Sequence, residues 1–302
     1  MVNNIYYENK GENKDRSLRS KKIYLRGRDV YIYREVSSTN SIAKSLAANG
    51  APDGTIVLSR FQTAGKGRFQ RQWVCPPGKG LLLSMILRPN IDRQSIPLLT
   101  LLGGVVVAES IQRICGLKAG IKWPNDILIN GRKVCGILAQ NSFSRGNSEF
   151  VVLGIGINVN LNREQLPADC RETTTSLLLE AGFKVSRFEL LKLFSSIWDR
   201  HYRCFLQSSH SYLRSQWLAN NITLGREVSI KKDTHTLRGK AVDISPRGGL
   251  IVVFPDGSRN EYLAEDVSLG KEEYYAGFEH SKPSILADSK TNDEQKFSGP
   301  VS

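Results

Sequence analysis

The chain of 302 residues has little of what builds a metal centre or a disulfide framework: five cysteines without a C-x-x-C pair and four histidines without ligand spacing. That scarcity predicts free thiols and no structural metal. No uninterrupted apolar run approaches the roughly 18 residues of a membrane span. Residues 1–28 lack the apolar centre of a signal peptide, and Glu8, Glu12 and Asp15 interrupt any transit-peptide pattern. The expected compartment is therefore the cytoplasm, with no membrane partner. The G-x-x-x-x-G-K-S/T of a P-loop is missing, and Gln70 stands where a dinucleotide fingerprint needs its third glycine. No Ser/His/Asp arrangement and no internal repeat is visible.

What the chain does carry is positive charge. The formal net charge of +13 favours anionic partners such as nucleotide phosphates, nucleic acid or an acidic protein. Part of it lies in residues 1–28, where eight Lys/Arg face three Asp/Glu, and so polar an arm is expected to be disordered. The tail, 271–302, with four Lys against six Asp/Glu, is expected to be disordered too. Between them, 40% hydrophobic residues suffice for a folded, soluble core.

The most informative stretch is Gln62 to Trp73, lying between two short apolar runs, Thr55 to Phe61 and Leu81 to Leu87, that read as strands. Gly65 and Gly67 are expected to supply positive φ and close approach, Lys66, Arg68 and Arg71 three cations, and Trp73 an aromatic face. A phosphate loop and a solvated hairpin both fit.

Ahead of it, Val30 and Ile32 alternate as a strand. Ser37, Ser38 and Thr39 offer cap oxygens to a helix ending at Gly50. After it, Ile96 to Ile114 is apolar almost all round and reads as a buried helix, with Gly103-Gly104 allowing close packing.

A second constellation is Lys122-Trp123-Pro124-Asn125-Asp126, a rigid corner followed seven residues later by Lys133. Asn130-Gly131 signals a hairpin between the strands around it. By period 2, Lys133, Cys135 and Ile137 share one face. Cys135 fits a small buried apolar residue better than a nucleophile.

Phe150 to Asn160 is a strand with Gly154 and Gly156, glycines that suggest a ligand approaching the backbone. Thr174 to Ala181 reads as a short helix. Ser186 to Glu189 is a capping box opening a long helix that runs on to Asn220. Beyond Thr223, four short strands at turn-rich spacing read as a small barrel.

Taken in order, Ser38-Thr39-Asn40, the Gln62 to Trp73 loop, Lys122 to Asp126, Gly131-Arg132-Lys133 with Gly136-Ile137-Leu138, Gly154 to Asn158, and Thr175-Ser176-Leu177 resemble the biotin protein ligase family. The resemblance spans about Val30 to Gly270. It implies an α+β fold: a mixed β-sheet with flanking helices, of the class II synthetase-like kind, plus an SH3-like barrel. The implied division is 1–28 arm, 29–221 catalytic domain, 222–270 barrel and 271–302 tail.

It implies activation of biotin with ATP to biotinyl-5′-AMP and transfer to a lysine of a biotin carboxyl carrier domain. Ser38, Thr39, Asn40, Gln62, Lys66, Gly67, Arg68 and Lys133 are carried over as biotin-binding. Gly65, Arg71, Trp73, Lys122, Asn125, Asp126 and Asn158 are carried over to ATP and the adenylate. Lys133 and Arg68 take the catalytic roles, and Mg²⁺ comes with the phosphates, near Asp126. A homodimer stays open.

Departures from the family pattern are Lys66 for Arg, Gln70 for Gly, Cys135 for Ala and Gln140 for Glu. Residues 1–29 are too short and polar for the helix-turn-helix some members use, so no sequence-specific DNA binding or repressor role is expected. A lipoate ligase or octanoyl transferase, and a nucleic-acid-binding protein, are the competing readings.

Overall fold

A computed structural model describes residues 7–8, 20–144, 147–232, 235–263 and 266–269. Its centre is a nine-stranded sheet in the order β1-β2-β3-β4-β5-β9-β8-β7-β6. The strands are β1 (Tyr7–Glu8), β2 (Ser20–Leu25), β3 (Arg28–Tyr33), β4 (Ile56–Ser59), β5 (Gly80–Leu87), β6 (Gly120–Lys122), β7 (Asp126–Ile129), β8 (Arg132–Ser144) and β9 (Asn147–Asn158). Strands β3 and β4 run parallel because a helix, α1 (Thr39–Ala48), joins them, and the other neighbours are antiparallel.

One face of the sheet is covered by α2 (Ile96–Cys115), against which α4 (Arg187–Asn220) packs. α2 is long and apolar enough by length and composition to cross a membrane, which the count of uninterrupted apolar residues overlooks. Here most of it is buried inside the protein. Its Gly103 and Gly104 let the helix sit on Ile137, Leu153, Ile121 and Ile127 at distances where any added Cβ would already be in tight contact. Leu99, fully buried, is one anchor, and Leu99→Ala would cost about 2–5 kcal/mol by loss of transfer energy and the cavity left.

The second sheet, β13-β12-β11-β10-β14, consists of β10 (Glu227–Lys232), β11 (His235–Ile244), β12 (Leu250–Val253), β13 (Arg259–Tyr262) and β14 (Asp266–Leu269), all antiparallel. It matches the expected small barrel, with one strand more than the four expected.

The expected disordered arm, 1–28, needs correction. Ser20–Leu25 is a strand paired residue for residue with β3, and Tyr7–Glu8 pairs with it in turn. Burial of Ile23 and Leu25 in the main core, and ion pairs from Arg26 and Arg28 to Asp199 on α4, hold the strand there. The sheet thus includes residues ahead of 29. The expected tail, 271–302, and the rest of the arm lie outside the described residues.

Candidate active site

Gln62 to Trp73 closes on itself. Trp73 N–H donates to Gly65 O at 2.9 Å, and Gly67 N–H to Arg71 O at 2.7 Å. The glycines serve proximity here, not positive φ: a Cβ on Gly65 would collide with Trp73 O, and one on Gly67 would come within 3.0 Å of Arg71 O. Positive φ falls instead on Phe69 (52°) and Gln70 (60°). A glycine would be unstrained at Gln70, so the departure noted there stiffens the tip.

Arg68 stacks on Phe69 and donates from Nη1 to Asn125 Oδ1 at 3.0 Å, so the loop is docked on the second constellation. That constellation is the turn of the β6–β7 hairpin, with Lys122 and Asp126 as register partners. Asn125 is fixed by exchange with Ile137: its Nδ2 donates to Ile137 O at 3.0 Å, and Ile137 N–H donates to Asn125 O at 2.9 Å. Trp123 is buried and bonds the barrel, with N–H to Thr223 Oγ1 and Nε1–H to Gly248 O, both at 2.9 Å.

The period-2 placement of Lys133 fails. A bulge shifts the β7–β8 register: Cys135 pairs with Ile127, yet Lys133 pairs with Leu128. The extra residue, Val134, reverses parity. Cys135 and Ile137 point into the core, whereas a Cβ on Gly136 would lie 3.4 Å from Lys133 Nζ. Lys133 therefore joins Gly136 on the open face, its Nζ 2.6 Å from Asp126 Oδ1 and 5.7 Å from the Trp73 ring centre. Complete burial pushes the Cys135 thiol well above its ordinary pKa, which suits a core residue and not a nucleophile.

Trp73 lies flat on a glycine shelf, the cross-strand pair Gly136 and Gly156. A Cβ on Gly156 would come 2.6 Å from its indole nitrogen. Beside it, Asn158 Nδ2 donates to Thr175 O at 3.0 Å. Its buried Oδ1 and the buried Trp73 Nε1–H have no partner among the described residues. Two buried polar atoms on this wall thus lack a hydrogen-bond partner among the described residues, the kind of group that a water or a ligand completes.

On the other wall is a polar cradle. Gln62 Oε1 accepts from Thr39 N–H at 2.7 Å and from its hydroxyl at 3.0 Å. Ser84 Oγ lies 2.7 Å from Thr39 Oγ1 and 2.6 Å from Asn40 Oδ1, and Asn40 Nδ2 donates to Gln140 Oε1 at 3.1 Å. Gly154 makes the room, since a Cβ there would overlap Asn40 Oδ1. Ser38 occupies the cap position of α1, but its side chain caps nothing. Ser84 and Gln140 belong to this cradle, and Ser84 lies outside every motif named above. A lone serine inside an eight-residue apolar strand is the signal that could have found it.

Both walls bound one cavity of about 1020 Å³, closed on one side by Lys231, Val267, Ser268 and Leu269 of the small sheet. Ser38, Thr39, Asn40, Gln62, Lys66, Gly67, Arg68, Arg71 and Trp73 line it, as do Lys122, Asn125, Asp126, Lys133 and Asn158. Gly65 does not; it sits in the buried neck of the loop, facing a neighbouring cleft. Such a cavity can hold a ligand with a hydrogen-bonding group, an anionic group and an aromatic ring.

Residues 31–158 match the model of the biotin/lipoate A/B protein ligase family, and 223–270 that of the biotin protein ligase C-terminal domain. The bifunctional ligase/repressor BirA of Bacillus subtilis is 37% identical over 79% of this chain and 74% of its own length. The biotin acetyl-CoA-carboxylase ligase of Paracoccus denitrificans is 32% identical over 77% of this chain and 97% of its own. Among solved structures, biotin protein ligase from Aquifex aeolicus in complex with biotin and ATP superposes with a TM-score of 0.69 at 27% identity, over 80% of this chain and 98% of that one. With the fold, the cavity and these likenesses in agreement, the chain belongs to the biotin protein ligase family.

Proposed function

We propose that the chain joins biotin to ATP, forming biotinyl-5′-AMP and pyrophosphate, and then passes biotin to a lysine of a carrier domain of a biotin-dependent carboxylase. The observation that carries this reading is the place of Lys133, a cation on the open face of β8 beside the Trp73 shelf, in the cavity that the polar cradle also lines. The cradle of Ser38, Thr39, Asn40 and Gln62, backed by the buried Ser84, suits the ureido head of biotin, whose donors and acceptors it can match. The shelf, with the unused Asn158 Oδ1, suits adenosine.

Lys133 then faces both the biotin carboxylate and the α-phosphate, two anions whose repulsion it reduces. A carboxylate oxygen bonds to the α-phosphorus, and the bond to the β-phosphate breaks as pyrophosphate leaves. Asp126 keeps the ammonium in place. Arg68, docked on Asn125, closes the loop over the mixed anhydride and excludes water. Lys66, Gly67 and Arg71 line the same loop, and Lys122 the nucleotide side. The carrier amine attacks the acyl carbon and AMP departs.

No three His, Cys, Asp or Glu side chains converge on a metal-binding point among the described residues, and Asp126 already pairs with Lys133. That donor set fits Mg²⁺ arriving with the nucleotide and held mainly by phosphate oxygens, with Asp126 its protein neighbour. The ion would screen the triphosphate charge.

The reading is of a cytoplasmic ligase without a repressor role. Because relatives include bifunctional repressors, a gel shift for biotin-dependent, sequence-specific DNA binding is the check on that part. The ligase itself is tested by incubating the protein with labelled biotin, ATP and a carrier domain, then repeating with lipoate. Label on the carrier lysine with biotin alone is expected; labelling by lipoate, or by neither, overturns the reading.

A further inference from the structure

Glu180 lies outside the cavity, on the short helix α3 (Leu177–Ala181), with only 3% of its side chain exposed. Burying a carboxylate there is costly unless its partners compensate. It has three, from two segments. Arg132 Nη2 lies at 2.7 Å, Asn130 Nδ2 donates at 2.8 Å and Thr175 Oγ1 donates at 2.5 Å.

Those partners lead to two functional side chains. Arg132 and Asn130 form the turn and first residue of the strand that carries Lys133. Thr175 belongs to a segment that brackets the Lys133 backbone: Lys133 N–H donates to Thr173 O, and Thr175 N–H to Lys133 O, both at 2.8 Å. The carbonyl of the same Thr175 accepts from Asn158 Nδ2. One buried carboxylate therefore pins the residue that fixes Asn158 and both flanks of Lys133.

We propose that Glu180 is a positioning residue of the adenylation site, setting Lys133 and Asn158 at a fixed separation. The inference rests on the ligase reading given above. Lys133 sits beside a bulge, where strand pairing alone specifies orientation weakly. The bracket from residues 173–175 supplies what the ladder lacks, and Glu180 ties that bracket to the β7–β8 turn. Among the described residues the biotin cradle shares no hydrogen bond with this network, so head-group recognition is expected to be independent of it.

The test is a double-mutant cycle read by calorimetric titration with biotinol-5′-AMP, a hydrolysis-resistant analogue of the intermediate. E180Q keeps the shape of the side chain and removes its charge. It is expected to weaken binding roughly tenfold, in line with loss of a charged hydrogen bond. In the K133A background the further loss should be smaller, because one of the two positioned groups is gone. A merely structural role lowers the melting midpoint but leaves the two losses multiplicative. Unchanged affinity in E180Q, or multiplicative losses, overturns the proposal. If E180Q does not accumulate as folded protein, T175V, isosteric and cutting only the Thr175 link, takes its place in the cycle, and unchanged affinity or multiplicative losses overturn the proposal there as well. Failure of the wild-type protein to bind the analogue would sink the ligase reading instead.

Discussion

Lys133 Nζ meets Asp126 Oδ1 at 2.6 Å although the register partner of Asp126 across the ladder is Gly136, three residues further along. The bulge at Val134 and the absence of a side chain on Gly136 together let the ammonium reach back. Lys133→Ala should therefore remove the cation from the point where the proposed reaction brings carboxylate and phosphate together. Biotin-dependent ATP/pyrophosphate exchange is expected to fall on the order of 10²–10³-fold, as for loss of one preorganised donor. Exchange near the wild-type rate would refute the role.

Gly154 faces Asn40, and the strand leaves no room for a methyl group there. Gly154→Ala should push Asn40 off Ser84 and Gln140, breaking the cradle while the sheet stays paired. Biotin affinity is expected to drop roughly tenfold or more, the scale of lost buried hydrogen bonds. Titration with biotin alone reads it, and ATP affinity should be little changed.

Arg68 links the loop to Asn125. Arg68→Gly removes the latch and frees the loop backbone, so the adenylate should escape before transfer. Biotin should then appear on bystander lysines in a mixture with unrelated protein. Unchanged carrier specificity would count against the latch.

Acid sensitivity should centre on His201, buried between α2 and α4. Its Nε2 lies 2.7 Å from Glu109 and its Nδ1 2.9 Å from the Tyr212 hydroxyl. Burial lowers its pKa below the ordinary value of ~6.5, although the Glu109 carboxylate opposes this and Arg200 and Arg113 add to it. The unfolded chain then binds the proton more readily, so this contribution is present above ~6.5 and is lost as pH falls towards the folded value. Glu109 acts in the same direction at lower pH: desolvation raises its pKa, but hydrogen bonds from His201 and Arg200 outweigh it, so the net shift is down. The urea midpoint should decline between pH 7 and 5.5, and His201→Gln should flatten that decline. An equally steep decline in the variant would assign it elsewhere.

Cys135 packs in the core beneath the site. Cys135→Ala should leave exchange within about twofold and cost about 1 kcal/mol, the ordinary scale of a single substitution. Loss of activity with the fold intact would revive the thiol as a reacting group.

The buried α2 and the small second sheet are legible in the sequence because each is carried by composition over many residues, whereas the mixed sheet follows from the family resemblance. The cavity residues are legible as motifs in order, and all but Gly65 line one cavity. Local geometry is what the sequence hides. Period 2 makes no allowance for a bulge, so it puts Lys133 on the wrong face of β8. Glycines at 65 and 67 suggest positive φ, but crowding by the loop's own backbone explains them. Ser84 and Glu180 give no motif because their partners are distant in sequence. The strand at Ser20–Leu25 is hidden by its lysines, whose charge masks the buried Ile23 and Leu25.

The shelf on which Trp73 rests also makes the protein optically readable. Of its four tryptophans, Trp123, Trp198 and Trp217 are sealed from solvent, while Trp73 alone is partly open and spread over the floor of the cavity. Three indoles are shielded from solvent, and the fourth lies beside the place proposed above for the purine. Its emission is a built-in gauge of occupancy, needing no dye and no added mutation.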